Sequence, residues 1–225
     1  MSGSTCSPEQ PINRVRRRDR VVEDDGWIRA FLREAPYGVV ATEAGGQPFM
    51  NPLLFAYDEE SNALYFHTSR AGRIFANVGA NERVCFCASK MGELIAAPES
   101  CRFDVEYESV VVFGRARVLA DREEATGALR LLLGKYFPKL RYGTDYRPIT
   151  AEQVERTAVS RLEVECWSAK RNAATAGDAG LRRRRVRARS GGSGWRSGGA
   201  GSTRWGSPCA SRSRRRPCCG WPCCG

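Results

Sequence analysis

The strongest strand signal along the chain lies in residues 101–121. Apolar and acidic side chains alternate over 103–108, and the chain then becomes apolar over 109–113. Alternation is typical of a half-exposed strand, whereas a continuous apolar run is typical of a buried one. We therefore predict one long strand that passes from an exposed position into the core. Gly114 is expected at a β-bulge or at a close approach of another group.

Four further segments carry strand patterns. Residues 37–58 predict a hairpin that turns at Gly45-Gly46, and Pro48 and Pro52 place its second strand at a sheet edge or a bulge. Residues 63–69 and 83–89 predict two more strands. Residues 158–167 alternate as well, which predicts that Leu162, Val164 and Cys166 share one face.

Helical periodicity is confined to short segments between these strands. Apolar residues recur at helical spacing over 27–32 after two acidic residues, and over 121–138 behind Asp121. Shorter helices are expected at 74–81 and 150–156. About six hairpin-connected strands and three or four helices, without alternation of strand and helix, predict a mainly β, antiparallel small barrel with a few peripheral helices.

The basic composition belongs to one end of the chain. The 225 residues carry a formal charge of +11, but residues 173–225 hold twelve Arg and one acid, so residues 1–172 are neutral. A nucleic-acid-binding domain is therefore not expected. No apolar run of about 18 residues and no secretory apolar segment occur, so we expect no membrane-spanning helix and a cytoplasmic location.

The composition divides the chain into three segments. We expect a disordered N-terminus (1–13), a folded domain (14–172) and a disordered Arg/Gly/Ser/Cys-rich tail (173–225), since the tail has too few large apolar residues to form a core. Arg182–Arg185 could bind phosphates, the tail cysteines could bind zinc, and the cationic tail could contact an anionic membrane. The same composition is typical of GC-rich DNA translated out of frame. These interpretations stay open.

Polar groups suited to a phosphate gather where the strand 63–69 ends. The segment contains the only histidine of the chain, two hydroxyls, two guanidinium groups and a glycine: His67, Thr68, Ser69, Arg70, Gly72 and Arg73. Hydroxyls, free backbone N–H groups and Arg side chains bind phosphate monoesters. The alternative is a polar turn with solvated Arg side chains.

Other candidate chemistry is weaker. No serine lies in the G-x-S-x-G pattern of a hydrolase, and no glycine-rich dinucleotide or phosphate loop occurs. Asp104, Glu106 and Glu108 share one strand face, which favours a solvated face over a catalytic pair. Cys85 and Cys87 alternate with apolar residues, which favours small strand residues over metal ligands, and no metal site is predicted.

Five segments are informative when they are taken in order along the chain: YGVVAT, GQPFMNPLLFAYD, ALYFHTSRAGRIFANVGANERVCF, YESVVVFGRARVLAD and RTAVSRLEVECWSAKR. Together they resemble the pyridoxamine 5'-phosphate oxidase-like, flavin-nucleotide-binding proteins, and in particular their nitroimidazole-resistance-related branch. The resemblance covers roughly residues 14–171.

The resemblance implies a split β-barrel that forms a homodimer, with one FMN in each groove between the subunits. It places the flavin phosphate and ribityl chain at the end of the strand 63–69 and the isoalloxazine ring along residues 51–53. Ser109 lies on a strand that the partner subunit contributes in relatives. The cofactor-binding residues implied in this way are Asn51, Leu53, His67, Thr68, Ser69, Arg70, Arg73 and Ser109.

One position departs from the pattern of relatives. Ile74 stands where they usually carry a second cation, and Arg70 stands where they often carry proline, which could restore the charge. Loss of one charge-assisted contact costs about 1.5–3 kcal/mol.

The function that the resemblance implies is FMN binding by a flavin-dependent oxidoreductase that acts on a small molecule. No side chain is assigned as a catalytic acid or base. The alternative is a binding protein without turnover that holds haem, with His67 as an axial ligand, or a deazaflavin.

Overall fold

The computed structural model describes residues 11–96 and 99–173. Most of the predicted N-terminal segment and all but the first residue of the tail lie outside these residues, so the predictions of disorder, and of any tail function, lie outside them too. Asn13, at the end of the predicted N-terminal segment, is described, and its side-chain amide donates a hydrogen bond to the carbonyl oxygen of Trp167 at 3.2 Å.

Eight strands and four α-helices form the described part of the chain. The strands are β1 (Val21–Val22), β2 (Gly38–Ala44), β3 (Gln47–Leu53), β4 (Phe55–Asp58), β5 (Ala63–Ser69), β6 (Arg83–Ile95), β7 (Asp104–Val118) and β8 (Thr157–Asn172). The helices are α1 (Asp25–Glu34), α2 (Arg73–Ala80), α3 (Arg122–Tyr136) and α4 (Ala151–Arg156). Short 3-10 turns lie at Arg18–Arg20 and Ser100–Arg102.

All strands pair antiparallel in one sheet of order β3-β2-β6-β7-β8-β5-β4, with β1 paired to β8. The two edge strands of this sheet, β3 and β4, are joined by Leu54 alone. Because one residue connects opposite edges, the sheet must curl until its edges meet, which makes a barrel that stays unpaired along one seam. The prediction of a mainly antiparallel β fold is confirmed, and the predicted hairpin turns at Gly45 and Gly46, both with positive φ.

The predicted number of strands was wrong in two respects. The second strand of the hairpin is two strands, because β3 pairs with β2 whereas β4 pairs with β5. The two-residue β1 was not predicted at all, because its pairing with Ala169 and Lys170 is long-range and leaves no local pattern. Pro48 and Pro52 lie in β3, which is an edge strand as predicted.

The barrel interior is filled by buried side chains of six strands, β2 and β4–β8, and of the helices α1 and α2. Phe55 and Phe86 contact each other with ring centres 4.6 Å apart. Leu162 and the buried valines of β7 surround them, and α1 covers this core with Ile28, Phe31 and Leu32. A smaller cluster lies on the other side of β5 and β8, beneath α3 and α4.

Gly114 confirms both predictions made for it. The register of β7 against β8 shifts between Phe113 and Gly114, so Glu165 is the extra residue of a β-bulge. A Cβ at Gly114 would lie 1.9 Å from the carbonyl oxygen of Glu163, so only glycine allows the two backbones to approach this closely. The bulge also corrects a prediction: Cys166 pairs with Phe113 beyond it and so leaves the face of Leu162 and Val164.

Among the described residues, no helix combines the length and the apolar character needed to cross a membrane.

Candidate functional site

The segment between β5 and α2 is a tight turn organised by Ser69. The Ser69 hydroxyl accepts a hydrogen bond from the Ala71 N–H at 3.2 Å, and its carbonyl accepts one from the Gly72 N–H at 2.9 Å. A Cβ at Gly72 would lie 3.0 Å from that carbonyl oxygen, so glycine suits the close return of the chain. The hydroxyl of Ser69 is therefore already used to shape the turn.

The turn leads directly into the amino end of α2, which has no side-chain cap. Gly72 is the N-cap residue, and the first helical N–H groups behind it have no hydrogen-bond acceptor in the described part of the chain. Such unpaired N–H groups, together with the helix dipole, give this end partial positive charge. An anion is the ligand that satisfies them.

Two guanidinium groups lie beside this helix end, and both are exposed. Neither Arg70 nor Arg73 pairs with a carboxylate among residues 11–96 and 99–173. Instead each lies over an aromatic ring: the guanidinium carbon of Arg70 is 5.9 Å from the centre of the Phe75 ring, and that of Arg73 is 5.3 Å from the Phe49 ring. Stacking orients a guanidinium while leaving its N–H groups free to bind an anion.

The contact between Arg73 and Phe49 joins the turn to strand β3. Residues 49, 51 and 53 are half-buried while 50 and 52 are exposed, so Asn51 and Leu53 share the inner face with Phe49. They lie roughly 7 and 13 Å farther along the strand. The structure therefore brings Asn51, Leu53 and Arg73 to the same side of β3, as the sequence interpretation requires.

A buried hydrogen bond holds α2 in this position. The Asn77 amide donates to the Thr42 hydroxyl of β2 at 2.9 Å, and both side chains are buried. Sequence reasoning missed both residues, along with Phe49 and Phe75. The available signal was the helical spacing of Asn77 from the apolar residue 74, which places it on the buried face of α2.

His67 and Thr68 point to opposite faces of β5. Residues 64 and 66 belong to the barrel core and residues 63 and 65 to the cluster under α3 and α4, so the alternation places Thr68 on the core side and His67 on the outer side. The Thr68 hydroxyl oxygen is buried and has no hydrogen-bond partner in the described part of the chain. His67 is exposed. A ligand bound on the core side of β5 therefore contacts Thr68 and not His67 of the same chain.

Ile74 is a core residue and not a vacant ligand position. Its side chain is 3% exposed and packs in the barrel core with Val78 of the same helix. A cation there would have to be buried among apolar groups, at a large desolvation cost. The positive charge at this site therefore comes from Arg70, Arg73 and the helix end.

Ser109 does not meet the other predicted site residues within one chain. It pairs with Ser89 and Lys170, whereas Ser69 pairs with Thr157. Lys170 lies thirteen positions beyond Thr157 on β8, which corresponds to roughly 40 Å of extended strand. The predicted contribution of Ser109 therefore requires a second subunit.

The two cysteines of β6 are half-buried, and burial raises the pKa of both the Cys85 and Cys87 thiols. Raised pKa values keep these thiols protonated at neutral pH, a state in which they are poor nucleophiles and poor metal ligands. The structure therefore gives them packing roles on the outer face of the sheet.

Comparison with known proteins agrees with this architecture. The flavocytochrome Anf3 from Azotobacter vinelandii is 25% identical, with a TM-score of 0.65 over 75% of this chain and 78% of that chain. A putative 5-nitroimidazole antibiotic resistance protein from Bacteroides thetaiotaomicron is 23% identical, with a TM-score of 0.56 over 67% and 85% of the two chains. The FAD and heme binding protein from Mycobacterium smegmatis is 19% identical, with a TM-score of 0.62 over 71% and 78%.

These likenesses confirm the fold, since structures with TM-scores above 0.5 share the arrangement of the barrel over most of both chains. No functionally curated protein matches the sequence significantly. The family model described as pyridoxamine 5'-phosphate oxidase matches residues 24–171, which span the barrel from α1 to the end of β8. The chain therefore belongs to the pyridoxamine 5'-phosphate oxidase family of flavin-binding split barrels.

Proposed function

We propose that this protein binds FMN, with the flavin phosphate at the turn between β5 and α2. The observation that carries the proposal is the unsatisfied chemistry of this turn. The buried Thr68 hydroxyl has no partner, the amino end of α2 has no cap, and Arg73 has no carboxylate partner among the described residues. A phosphate dianion supplies acceptors for all three at once.

The neighbouring strand fits the rest of such a ligand. Asn51 offers an amide that can both donate and accept hydrogen bonds to a flavin ring, and Leu53 offers an apolar surface on the same face. When bound, a flavin accepts and returns electrons, so it supplies the redox chemistry itself. The chain binds and orients the group, and Phe49 and Leu53 exclude water from one side. On this basis we infer a flavin-dependent oxidoreductase with a small-molecule substrate.

A homodimer belongs to the same proposal. One face of the central strands carries a row of half-buried residues in register, namely Ala41, Cys85, Phe113 and Cys166. This row has no charged member, and an apolar sheet face of this kind suits an interface with a second copy. Dimerisation through it would also provide the second subunit that Ser109 requires. The cytoplasmic location expected from the sequence is retained with this proposal.

Haem is the second candidate ligand. Two of the similar proteins are a flavocytochrome, which is 25% identical, and an FAD and heme binding protein. His67 is exposed on the outer side of β5, and its imidazole forms no hydrogen bond or ion pair with the described residues, so it is available to bind iron. Protein with bound haem would show a Soret band in its absorbance spectrum, whereas protein with bound flavin would show two flavin bands.

The test is an absorbance spectrum of the full-length protein after incubation with FMN, FAD or haem, followed by gel filtration. The proposal expects flavin absorbance to elute with the protein at the volume of a dimer. Elution of colourless protein after FMN incubation contradicts it, and a Soret band retained by wild type but lost in His67→Ala establishes the haem alternative. His67→Leu provides a second, apolar control.

A further inference from the structure

A second cleft lies on the barrel, at its α1 side. Its volume is about 460 Å³, and it opens between the segment 13–18, α1 and the residues 164–169 of β8. This volume lies within the range typical of small-molecule sites, roughly 300–1,000 Å³. Trp167 in its wall is ten residues from Thr157, which pairs with Ser69, so roughly 33 Å of strand separates the two places within one chain.

The walls of the cleft are fixed by hydrogen bonds around Trp167. Its indole N–H donates to the Asp25 carboxylate at 3.0 Å, and its carbonyl accepts from the Asn13 amide. The guanidinium carbon of Arg29 lies 5.2 Å from the centre of the Trp167 ring, and Nη1 of Arg29 donates to the Tyr57 hydroxyl at 2.8 Å. The cleft is therefore held in shape before any ligand arrives.

The charges of the cleft favour an anion. Three guanidinium groups line it, and none pairs with a carboxylate in the described part of the chain: Arg14, Arg18 and Arg29. Of its acidic residues, Glu165 is paired with Arg115 at 2.7 Å, and Asp25 sits in the first turn of α1, where the helix dipole offsets its charge. Glu23 and the partly offset Asp25 are left to oppose the three cations, so the unpaired charge of the cleft is on balance positive. The apolar side chains of Val15, Val21 and Ile28 complete the lining.

We propose that this cleft is a second binding site, which takes a small organic anion. Guanidinium groups bind either a carboxylate or a phosphate monoester in bidentate fashion, so the anionic head contacts Arg14, Arg18 and Arg29. The carbon part of the ligand lies against Val15, Val21 and Ile28. Within one chain the site is separate from the flavin turn, because it uses none of the residues 67–74.

The experiment uses three probes that share one ring: phenyl phosphate, benzoate and the uncharged benzyl alcohol. Each is titrated into the full-length ¹⁵N-labelled protein, and the indole N–H resonance of Trp167, assigned with Trp167→Phe, reports occupation. Calorimetry gives the affinity. The double variant Arg14→Gln/Arg18→Gln removes the two exposed cations of the cleft. Arg16→Gln is the matched control, because Arg16 is exposed, forms no ion pair within residues 11–96 and 99–173, and does not line the cleft.

The proposal expects at least one anionic probe to shift the Trp167 resonance, with the affinity about tenfold weaker in the double variant and unchanged in Arg16→Gln. Because phenyl phosphate can also bind at the flavin turn, Arg73→Gln is read through the Trp167 resonance alone, whose shift on titration should stay as in wild type. Binding of phenyl phosphate alone identifies a phosphate monoester as the ligand, and binding of both anions a general carboxylate or phosphate site. An unmoved Trp167 resonance, equal binding of benzyl alcohol, or equal loss in Arg16→Gln overturns the proposal.

Discussion

Gly114 offers the sharpest test of the barrel geometry. It lies at the β-bulge between β7 and β8, where a Cβ would come within 1.9 Å of the Glu163 carbonyl oxygen and 3.0 Å of Leu162. Carbon and oxygen atoms that are not bonded require at least about 3 Å, so Gly114→Ala must push the two strands apart by about 1 Å. The obstructing carbonyl oxygen belongs to the backbone, so no side-chain rotation can relieve the contact.

The cost follows from the position of Glu163 in the sheet. This residue is paired on both sides, with Arg115 of β7 and Ala63 of β5, so a displaced carbonyl disturbs two ladders. Overpacking of this kind costs about 1–3 kcal/mol, and each weakened backbone hydrogen bond adds about 0.5–1.5 kcal/mol. Alanine also lowers the conformational entropy of the unfolded chain, which offsets about 0.4–1 kcal/mol of this destabilisation. We expect Gly114→Ala to destabilise the protein by about 2–4 kcal/mol.

Urea unfolding of the full-length protein measures this change. Gly127→Ala and Gly134→Ala are matched controls, because both glycines lie in α3 with nothing within 4 Å of an added Cβ. Each control should stabilise the protein by about 0.5–1 kcal/mol, since alanine favours a helix interior over glycine. A midpoint for Gly114→Ala equal to that of wild type would refute the proposed bulge geometry.

Three further predictions concern single side chains. Burial lowers the pKa of Lys135 to about 8, against 10.5 for a free lysine. Between these pH values the unfolded chain binds more protons than the folded one, so the free energy of unfolding should rise from pH 8 to 10. Urea unfolding as a function of pH should show that rise in wild type and not in Lys135→Met. Thr68→Val removes a buried hydroxyl that has no hydrogen-bond partner among the described residues, so it should leave apo stability unchanged or higher while FMN binds about tenfold more weakly. A large loss of apo stability in urea unfolding would contradict this. Asp121→Ala removes the cap that accepts from the Glu124 N–H at 2.7 Å and should cost about 1 kcal/mol in urea unfolding, whereas Glu123→Ala should cost much less.

The helices were well predicted from sequence because their signals are local. Asp24 and Asp121 cap α1 and α3 through their side chains, and Thr150 forms a capping box with Gln153 at the start of α4. Each signal involves residues three positions apart, so one chain segment contains all of it. The strand alternation along β7 is equally local.

The features that the sequence did not reveal depend on pairing between distant segments. The split into β3 and β4 arises because neighbouring residues pair with different strands, and the bulge at Glu165 arises from the register of β7. A shift of one residue moves Cys166 to the other face, which no local pattern records. Pairing of this kind is set by the whole sheet.

The candidate site shows the same division. The turn 67–73 was identified from composition, since its hydroxyls and cations are adjacent in sequence. The supporting contacts of Arg73 with Phe49, and of Asn77 with Thr42, span 24 and 35 positions and required the fold. Ile74 was interpreted as a missing cation, whereas its helical spacing from Val78 marks it as a core residue.

The central claim is that the turn between β5 and α2 binds a phosphate. It is tested most directly by comparing the affinities of FMN and riboflavin, which differ only in the phosphate, for wild type, Arg73→Gln and the control Arg83→Gln. The Arg83 side chain is exposed and forms no ion pair in the part of the chain that the structure describes. One charge-assisted contact is worth about 1.5–3 kcal/mol, or roughly ten- to a hundredfold in affinity. The account predicts that FMN binds more tightly than riboflavin in wild type and in Arg83→Gln, and that Arg73→Gln reduces this preference by at least tenfold. Equal affinities of wild type for FMN and riboflavin, or an unchanged preference in Arg73→Gln, would contradict it.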